Sequence, residues 1–367
     1  MNFMVIIMPR ARDIGLYHIW SISIGPKNSI TDVNGVLVGH VTLIKGSGKL
    51  IPGHGPIRTG VTIILPHTGN IFREKLPAAI HVINGFTKAI GLIQVEELGF
   101  IESPIALTNT LNIGLVADGV IEYSIERNPD IGISTSTINP IVLECNDGYL
   151  NDIQGRHVKQ HHVIEAIERA SSNVVEGSIG AGTGTIAFGF KGGIGTSSRK
   201  VDIGTETYMV GVLVQSNFGR KEDLTIAGVP IGKYLPKKGI ETDMKGSINI
   251  IIATNAPLTP RQLKRLAKRA SNGLARVGNY TYNGSGEVVL AFSTAYRIPH
   301  DKTQKLSIDI IPDRYLNPLF RAVVEATEEA VLNSIFMAKT MDGRDNHIVN
   351  SIPINEVIDI LKQHGVL

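Results

Sequence analysis

The stretch Asp243-Met-Lys-Gly-Ser-Ile-Asn-Ile-Ile-Ile-Ala-Thr254 changes from a polar loop to a β-strand at Ser247. Residues of a strand point alternately to its two faces. Ser247, Asn249, Ile251 and Ala253 therefore share one face, and three isoleucines occupy the other. This is the most regular strand that the sequence predicts.

The Gly246-Ser247 pair lies at the boundary between that loop and the strand. Glycine has no side chain, which leaves the peptide bond before Ser247 free to twist and open to attack by the Ser247 hydroxyl. A self-cleaving N-terminal-nucleophile hydrolase needs such a junction. Most Gly-Ser pairs are only turns, so the pair alone also fits an ordinary loop.

The composition is that of a globular protein. The chain has 367 residues, 43% of them hydrophobic and 19% charged, which allows one large domain or two ordinary ones with ample core. The net charge is +3, and the basic residues are dispersed. Composition therefore does not indicate nucleic acid or an anionic membrane as a partner.

Cys145 is the only cysteine, which excludes an internal disulfide and a cysteine-based zinc site and fits a reducing cytoplasm. The short apolar run at residues 3–8 lacks the flanking features of a signal peptide. No stretch approaches the ~20 apolar residues of a membrane span. We therefore expect a soluble, cytoplasmic protein.

Strands and helices alternate along the whole chain, which favours helices packed outside β-sheets. The stretch 84–99 is compatible with a helix that ends at Gly99, and Thr259-Pro260 is predicted to begin another helix. Two glycine-rich segments, 180–185 and 192–198, are predicted as loops whose amides turn the chain or hold an oxyanion. The polar segment 220–246 is the best candidate for a linker. The predicted strands are 35–43, 59–65, 104–110, 140–145, 186–190, 208–214, 247–254 and 288–293. The helix after Pro260 is predicted over 261–276, and the other predicted helices are 113–126, 158–170, 317–339 and 355–363.

Two polar features allow more than one interpretation. Glu144 ends an apolar strand, where a carboxylate is costly to bury unless it meets a cation. It forms either a structural ion pair or a site for a positively charged ligand. His157 and His161 have the spacing of a metal-binding pair, but no acidic partner is placed as in a zinc-protease helix, so we expect a solvated face and no metal.

Several segments resemble one known family. Met244-Lys-Gly-Ser-Ile-Asn-Ile-Ile-Ile-Ala-Thr-Asn-Ala-Pro-Leu258 is similar to the junction of the DmpA-type aminopeptidases, which include L-aminopeptidase/D-esterase and β-aminopeptidases. The resemblance runs from about Arg10 to the end of the chain. Further matching segments, in family order, are Pro104-Ile-Ala-Leu-Thr-Asn-Thr110, Glu144-Cys-Asn-Asp-Gly-Tyr-Leu-Asn-Asp152, Gly180-Ala-Gly-Thr-Gly184, Lys191-Gly-Gly-Ile-Gly-Thr-Ser-Ser-Arg199 and Ser285-Gly-Glu287.

The resemblance implies an α/β (α+β) fold, a four-layer αββα sandwich that is Ntn-hydrolase-like and shared with ornithine acetyltransferases. It also implies a single catalytic domain over residues 1–367. This domain is expected to cleave itself between Gly246 and Ser247 into an α chain, 1–246, and a β chain, 247–367. A tetramer of such αβ units is the expected assembly.

The family motif implies a role for each matching residue. Ser247 is the expected nucleophile, and its freed α-amine is the expected base. Ser285 and Glu287 match positions that orient these groups and relay protons. Asn217 matches the side chain that donates to the oxyanion, and Glu144 matches the carboxylate that binds the amino group of the substrate.

The implied activity is that of an aminopeptidase or amidase on short peptides, amino-acid amides or esters, without a cofactor. Asn146 replaces a tyrosine of some relatives, which puts the role of that hydroxyl in doubt. Three alternatives stay open. The first is an ornithine acetyltransferase-like acyltransferase; Ser247 argues against it, because those relatives use a threonine nucleophile. The second is an uncleaved binding protein, and the third is a hydrolase with Cys145 as nucleophile.

Overall fold

The computed structural model describes residues 8–235, 246–301 and 305–367, and its β-strands form two main sheets and two short hairpins. In chain order the strands are β1 Leu37–Lys45, β2 Ile57–Leu65, β3 Glu74–Gly85, β4 Phe100–Ile101, β5 Ile105–Asn109, β6 Ile141–Cys145, β7 Ile186–Ala187, β8 Phe190–Lys191, β9 Gly193–Ile203, β10 Glu206–Asn217, β11 Ser247–Thr254, β12 Gly286–Ser293, β13 Ile298–Pro299, β14 Met341–Asp342 and β15 Ile348–Val349.

The strand that begins at Ser247 is central in the larger sheet. That sheet has the order β13-β3-β12-β11-β10-β9, with β4 attached to β3. Within it, β11 is antiparallel to β10 and parallel to β12. The smaller sheet has the order β1-β2-β5-β6. The first residue of β11 thus has a strand on either side.

The two faces of β11 are buried in different cores, as its alternating pattern predicts. Ile251 and Ala253 pack between the two sheets, with Leu107 and Leu143 of the smaller sheet. The three isoleucines 248, 250 and 252 pack on the outer side of the larger sheet. Every residue of the strand is buried, which explains why apolar side chains occupy both of its faces.

Helices cover both outer faces of the paired sheets. The helices are α1 Leu92–Leu98, α2 Ile113–Arg127, α3 Gln160–Glu168, α4 Ile231–Tyr234, α5 Pro260–Ala267, α6 Ala270–Arg276, α7 Asn317–Phe336 and α8 Ile354–Gln363. Apolar side chains of α2 and α3 pack on the smaller sheet. Those of α5, α6 and α7 pack on the larger one. The layers therefore follow the order α, β, β, α, and the predicted four-layer sandwich is confirmed.

Most predicted elements are present, but two stretches of sequence were misassigned. In segment 192–198, predicted as a loop, residues 193–198 belong to β9, whose glycines allow close packing. A Cβ on Gly195 would lie 2.0 Å from the carbonyl oxygen of Ala330 in α7. Segment 186–190, predicted as one strand, is the β7–β8 hairpin, which turns at Phe188 and Gly189, both with positive φ.

Two predicted helices are shorter than expected. Near residue 99, only Leu92–Leu98 is helical. Its end at Gly99, where φ is 71°, is confirmed. Residues 84–85 are instead the last two residues of β3, a strand that was not predicted from the sequence. The helix after Thr259 does begin with a capping box and Pro260, yet it divides into α5 and α6.

The predicted linker is only partly visible. Residues 220–235 form a short 3-10 turn and α4, and residues 236–245 lie outside the described residues. The described helices include none that is both long and apolar enough to cross a membrane.

Candidate active site

Ser247 lies between two polar neighbours at one end of the larger sheet. It is only 7% exposed. Asn217, the last residue of β10, is its register partner on one side, and Gly286, the first residue of β12, is its partner on the other. Side chains of directly opposed residues lie about 4.5–5.5 Å apart at Cβ. The fold thus brings the predicted nucleophile and the predicted oxyanion donor together from positions 30 residues apart in the sequence.

One backbone amide contacts both groups that a self-cleavage reaction would join. The N–H of Gly286 lies 3.2 Å from Ser247 Oγ and 3.2 Å from the carbonyl oxygen of Gly246. The hydroxyl and the preceding carbonyl are therefore held side by side. This amide was not predicted from the sequence, because a backbone donor leaves no mark on residue type.

Close packing against Asn217 and Phe218 leaves no room for a side chain at position 246. A Cβ at this position would lie 2.4 Å from the carbonyl oxygen of Asn217 and 2.4 Å from Cα of Phe218. Real Cβ atoms do not approach backbone atoms so closely, so only glycine fits without a shift of the chain. The sequence suggested conformational freedom as the reason for glycine, whereas the structure adds contact with β10.

The amide of Asn217 is oriented by the β7–β8 hairpin. The backbone N–H of Ile186 donates to Asn217 Oδ1 at 2.9 Å. A backbone N–H can only donate, so the atom it meets is the amide oxygen, and the nitrogen is left for another acceptor. Asn217 itself is 4% exposed. This arrangement gives the side chain the polarity that an oxyanion donor needs.

Ser285 and Glu287 form one hydrogen-bonded unit beside Gly286. Ser285 Oγ donates to Glu287 Oε1 at 2.8 Å, while Asn279 Nδ2 and Thr281 Oγ1 donate to Oε2 at 3.0 Å each. Glu287 is fully buried, and no ion pair among the described residues includes it. The N–H of Gly286, the residue between Ser285 and Glu287, donates to Ser247 Oγ.

Glu144 is also a buried carboxylate without a cationic partner in the described part of the chain. It is 1% exposed, and it accepts hydrogen bonds from Thr87 Oγ1 at 3.1 Å, from the Lys88 backbone N–H at 3.0 Å and from Thr110 Oγ1. The first of the two interpretations, a structural ion pair, is therefore wrong within the described residues. Thr87 and Thr110 were not predicted as neighbours, since tertiary contact alone brings them together.

Cys145 lies between Glu144 and Ser247 but is unsuited to be a nucleophile. Its thiol contacts the carbonyl oxygens of Ser247 at 3.5 Å and Gln215 at 3.6 Å, and the side chain is fully buried. Burial, with the nearby charge of Glu144, raises the pKa of this thiol well above its usual value. Because the thiolate is the reactive form, this environment argues against Cys145 as the nucleophile.

The remaining candidates have local roles. Asn146 Oδ1 accepts from the backbone N–H of Gly148 at 2.9 Å, which is a turn contact and offers no hydroxyl to an intermediate. His157 pairs with Asp152 through Nε2 and Oδ2 at 2.9 Å. Within the described ranges, no group of three or more His, Cys, Asp or Glu side chains could hold a metal ion.

A buried serine at a glycine junction, an amide donor opposite it and an αββα sandwich are the features of an N-terminal-nucleophile type of serine hydrolase. The chain belongs to peptidase family S58, whose family model matches residues 28–349.

The chain is similar to proteins of known type along nearly all of its length. It is 41% identical over 373 residues to the beta-peptidyl aminopeptidase BapA of Sphingosinicella microcystinivorans, covering 97% of this chain and 92% of the relative. The BapA of Sphingosinicella xenopeptidilytica is 43% identical over 371 residues, covering 96% of this chain and 91% of the relative.

A solved structure supports the same assignment. The L-aminopeptidase D-Ala-esterase/amidase of Ochrobactrum anthropi is 38% identical, with a TM-score of 0.92, and the match covers 98% of this chain and 99% of that one. It is described as a prototype of the serine aminopeptidases and a variant of the Ntn hydrolase fold. The predictions of a DmpA-type family, a serine-type peptide hydrolase and an aminopeptidase are thus confirmed.

Proposed function

We propose that this aminopeptidase cleaves itself between Gly246 and Ser247 and then uses the freed Ser247 as an N-terminal nucleophile. The shared contact of the Gly286 amide with Ser247 Oγ and the Gly246 carbonyl oxygen carries this proposal. A single domain, 1–367, would yield an α chain, 1–246, and a β chain, 247–367, that stay associated. β11 of the β chain is paired with β10 of the α chain, which supports continued association.

Self-cleavage would proceed by an N-to-O acyl shift. Ser247 Oγ attacks the Gly246 carbonyl carbon, and the negative charge that develops on the oxygen faces the Gly286 N–H, 3.2 Å away. Breaking the C–N bond releases the Ser247 amine, which takes up the proton that Oγ loses, and leaves an ester at Oγ. Water then hydrolyses the ester, so the Gly246 carboxylate and a free Ser247 hydroxyl are formed.

The buried carboxylate of Glu287 supports this sequence of events. A buried charge is stable only when it is paired or well hydrogen-bonded. Glu287 has three hydrogen-bond donors but no cation among the described residues. Cleavage would create an α-amine at Ser247, beside the Ser285–Glu287 unit. An α-amine has an ordinary pKa of ~7.7–8.0, so its neutral fraction near that pH can serve as the base.

The mature enzyme would form an acyl-enzyme on Ser247. The amine accepts the hydroxyl proton as Oγ attacks the substrate carbonyl, and the same proton passes to the leaving amine or alcohol. We assign Asn217 Nδ2 as a donor to the oxyanion, because its oxygen is already occupied by the Ile186 N–H. Water then hydrolyses the acyl-enzyme and regenerates Ser247.

Glu144 would select substrates with a free amino terminus. Its carboxylate is buried and held by Thr87, Lys88 and Thr110, and a substrate ammonium would supply the missing positive charge. The substrate class is therefore short peptides, amino-acid amides or esters with an unblocked amine. Two relatives are named beta-peptidyl aminopeptidases, which makes peptides with an N-terminal β-amino acid candidates as well.

Mass spectrometry of the purified protein, with N-terminal sequencing of the smaller fragment, tests self-cleavage. We expect two fragments, the smaller starting at Ser247, and an intact chain of 39.6 kDa for Ser247→Ala. A Ser247→Ala protein that is still cut at this bond would contradict the proposal. An intact wild type without activity on α- and β-amino-acid p-nitroanilides, in L and D forms, would favour a binding protein.

Competition between water and an amine acceptor distinguishes the hydrolase from an ornithine acetyltransferase-like acyltransferase. If added ornithine captured an acetyl group from Ser247 faster than water, the transferase would be favoured. The cytoplasmic location and the tetramer of αβ units also belong to this proposal, and sedimentation of the mature enzyme tests the assembly.

A further inference from the structure

A buried lysine lies behind the amide of Asn217. Lys191 is fully buried, and its Nζ donates to the carbonyl oxygens of Gly182 at 3.0 Å, Thr185 at 2.7 Å and Gly192 at 2.7 Å. An ammonium has three N–H donors and no acceptor. Three carbonyl acceptors therefore match the charged form of this lysine.

A single peptide group connects this lysine with Asn217. The carbonyl of Thr185 accepts from Lys191, and the N–H of the next residue, Ile186, donates to Asn217 Oδ1. Both belong to the peptide bond between residues 185 and 186, in which resonance couples the carbonyl to the N–H. A cation on the carbonyl oxygen makes that N–H a stronger donor, and connected hydrogen bonds polarise one another.

We propose that Lys191 is a positioning residue that fixes the orientation and raises the donor strength of Asn217. The chain of contacts runs from the Lys191 ammonium through the 185–186 peptide group to Asn217 Oδ1. Polarisation at Oδ1 makes the Nδ2 hydrogens better donors to an oxyanion. The inference rests on the proposed role of Asn217, and Lys191 itself does not contact the reacting atoms.

The hairpin that carries this peptide group is held in place. The N–H of Phe188 donates to the carbonyl oxygen of Phe218 at 2.8 Å, and their rings lie 5.0 Å apart at an angle of 63°. Phe218 directly follows Asn217, so the hairpin contacts both the oxyanion donor and the next residue of the chain. Thr185, Ile186 and Asn217, which form the relay, are each at most 4% exposed, so water competes little for their hydrogen bonds.

Asp147 provides a counter-charge for the lysine. It is 1% exposed, and its Oδ2 has no hydrogen-bond partner among the described residues. Burial lowers the pKa of Lys191 to about 7 and raises the pKa of Asp147 to about 7, and in each case the charge of the other group opposes the shift. The three carbonyl acceptors and the Asp147 carboxylate therefore both favour the ammonium that the relay requires.

A double-mutant cycle tests the relay, with Lys191→Gln and Asn217→Ala alone and combined. Glutamine is neutral but keeps two N–H donors for the loop carbonyls, so it is the variant that perturbs folding least. On the amino-acid p-nitroanilide that the wild type hydrolyses fastest, we expect Lys191→Gln to lower kcat roughly tenfold with KM nearly unchanged. In the Asn217→Ala background, the same change should alter kcat less than about twofold.

Lys191→Met removes all three donors and should lower kcat further, whereas Lys191→Arg, which keeps a cation, should restore part of it. Lys75→Met is the control. The Lys75 side chain is mostly buried, at 12% exposed, and its ammonium pairs with Glu102 at 2.6 Å. It lies at the end of β3 opposite to Gly85, the register partner of Gly286. We expect this control to reduce stability and to leave kcat within about twofold. For every variant, kcat is referred to the protein that mass spectrometry shows to be cleaved between Gly246 and Ser247.

The outcomes separate the two proposals. An equal loss of kcat from Lys191→Gln in both backgrounds, or a loss confined to KM, would overturn the relay. Unchanged kcat in Lys191→Gln would overturn it as well. A normal kcat in Asn217→Ala alone would instead contradict the role of Asn217 in the proposed function.

Discussion

Asn217 and Ser247 are register partners on adjacent antiparallel strands, β10 and β11, so their side chains leave the sheet on the same face. The amide oxygen of Asn217 is occupied by the Ile186 N–H, so the amide nitrogen is left as a hydrogen-bond donor beside Ser247. In the proposed reaction, this donor lies next to the carbonyl that Ser247 attacks.

Replacing Asn217 by alanine should lower kcat by about 10²–10³ while KM changes little, because the lost donor acts on charge that develops only in the transition state. Steady-state kinetics on a p-nitroanilide substrate measures both constants. Asn173→Ala, at an exposed position, is the matched control and should behave as the wild type. A large rise in KM with unchanged kcat would indicate a substrate-binding role for Asn217 instead.

Replacing Glu144 by glutamine should lower kcat/KM roughly 10- to 100-fold for substrates with a free amine, because a charge-assisted bond is lost. The shape of the side chain and its contacts with Thr87 and Thr110 are nearly preserved. N-acetylated substrates, which carry no ammonium, should be hydrolysed slowly by both enzymes. Glu97→Gln, at an exposed position, serves as control. Equal losses for free and acetylated substrates would refute amine recognition.

Replacing Gly246 by alanine should slow self-cleavage at least tenfold. The new Cβ would lie 2.4 Å from backbone atoms of Asn217 and Phe218, so the peptide must move away from the Gly286 amide. A time course of fragment formation on a denaturing gel measures the rate. Gly114→Ala is the control, since no atom lies within 4 Å of the added Cβ. Cleavage of Gly246→Ala at the wild-type rate would show that close packing here is dispensable.

The thiol of Cys145 should resist alkylation in the native protein. Burial, followed by the charges of Glu144 and Asp147, raises its pKa, so at pH 8 almost none is thiolate. Iodoacetamide labelling followed by mass spectrometry should modify Cys145 only after denaturation, and Cys145→Ser should keep the aminopeptidase activity. Rapid native labelling that abolishes activity would revive the cysteine as a nucleophile.

Stability should depend on Asp313 in acid. Hydrogen bonds from Arg261 and Gln262 lower the pKa of this carboxyl from 3.8 to about 2. A lowered folded-state pKa stabilises the protein above the unfolded value, and this contribution is lost as the pH falls from 3.8 to about 2. Thermal melting should therefore show a Tm gap between wild type and Asp313→Asn that narrows in this window. Asp359→Asn, on the exposed side of α8, should show no comparable change.

Much of the fold followed from local patterns. The alternation in β11, the N-cap at Thr259 with the proline after it, and the glycine at the end of α1 depend on neighbouring residues, and each was predicted correctly. The misassigned segments depend on distant contacts. β9 contains glycine and serine because α7 packs closely upon it, and no local pattern records that approach.

Local patterns predict the strand at Ser247, the glycine before it and the residue types of the site, because periodicity and family motifs are properties of neighbouring residues. Folding is needed to bring one amide, from Gly286, into contact with both Ser247 Oγ and the Gly246 carbonyl oxygen. Folding also buries Glu144 and Glu287 without a cation among the described residues. Strand register and burial arise from contacts between distant parts of the chain, so residue type alone does not specify them.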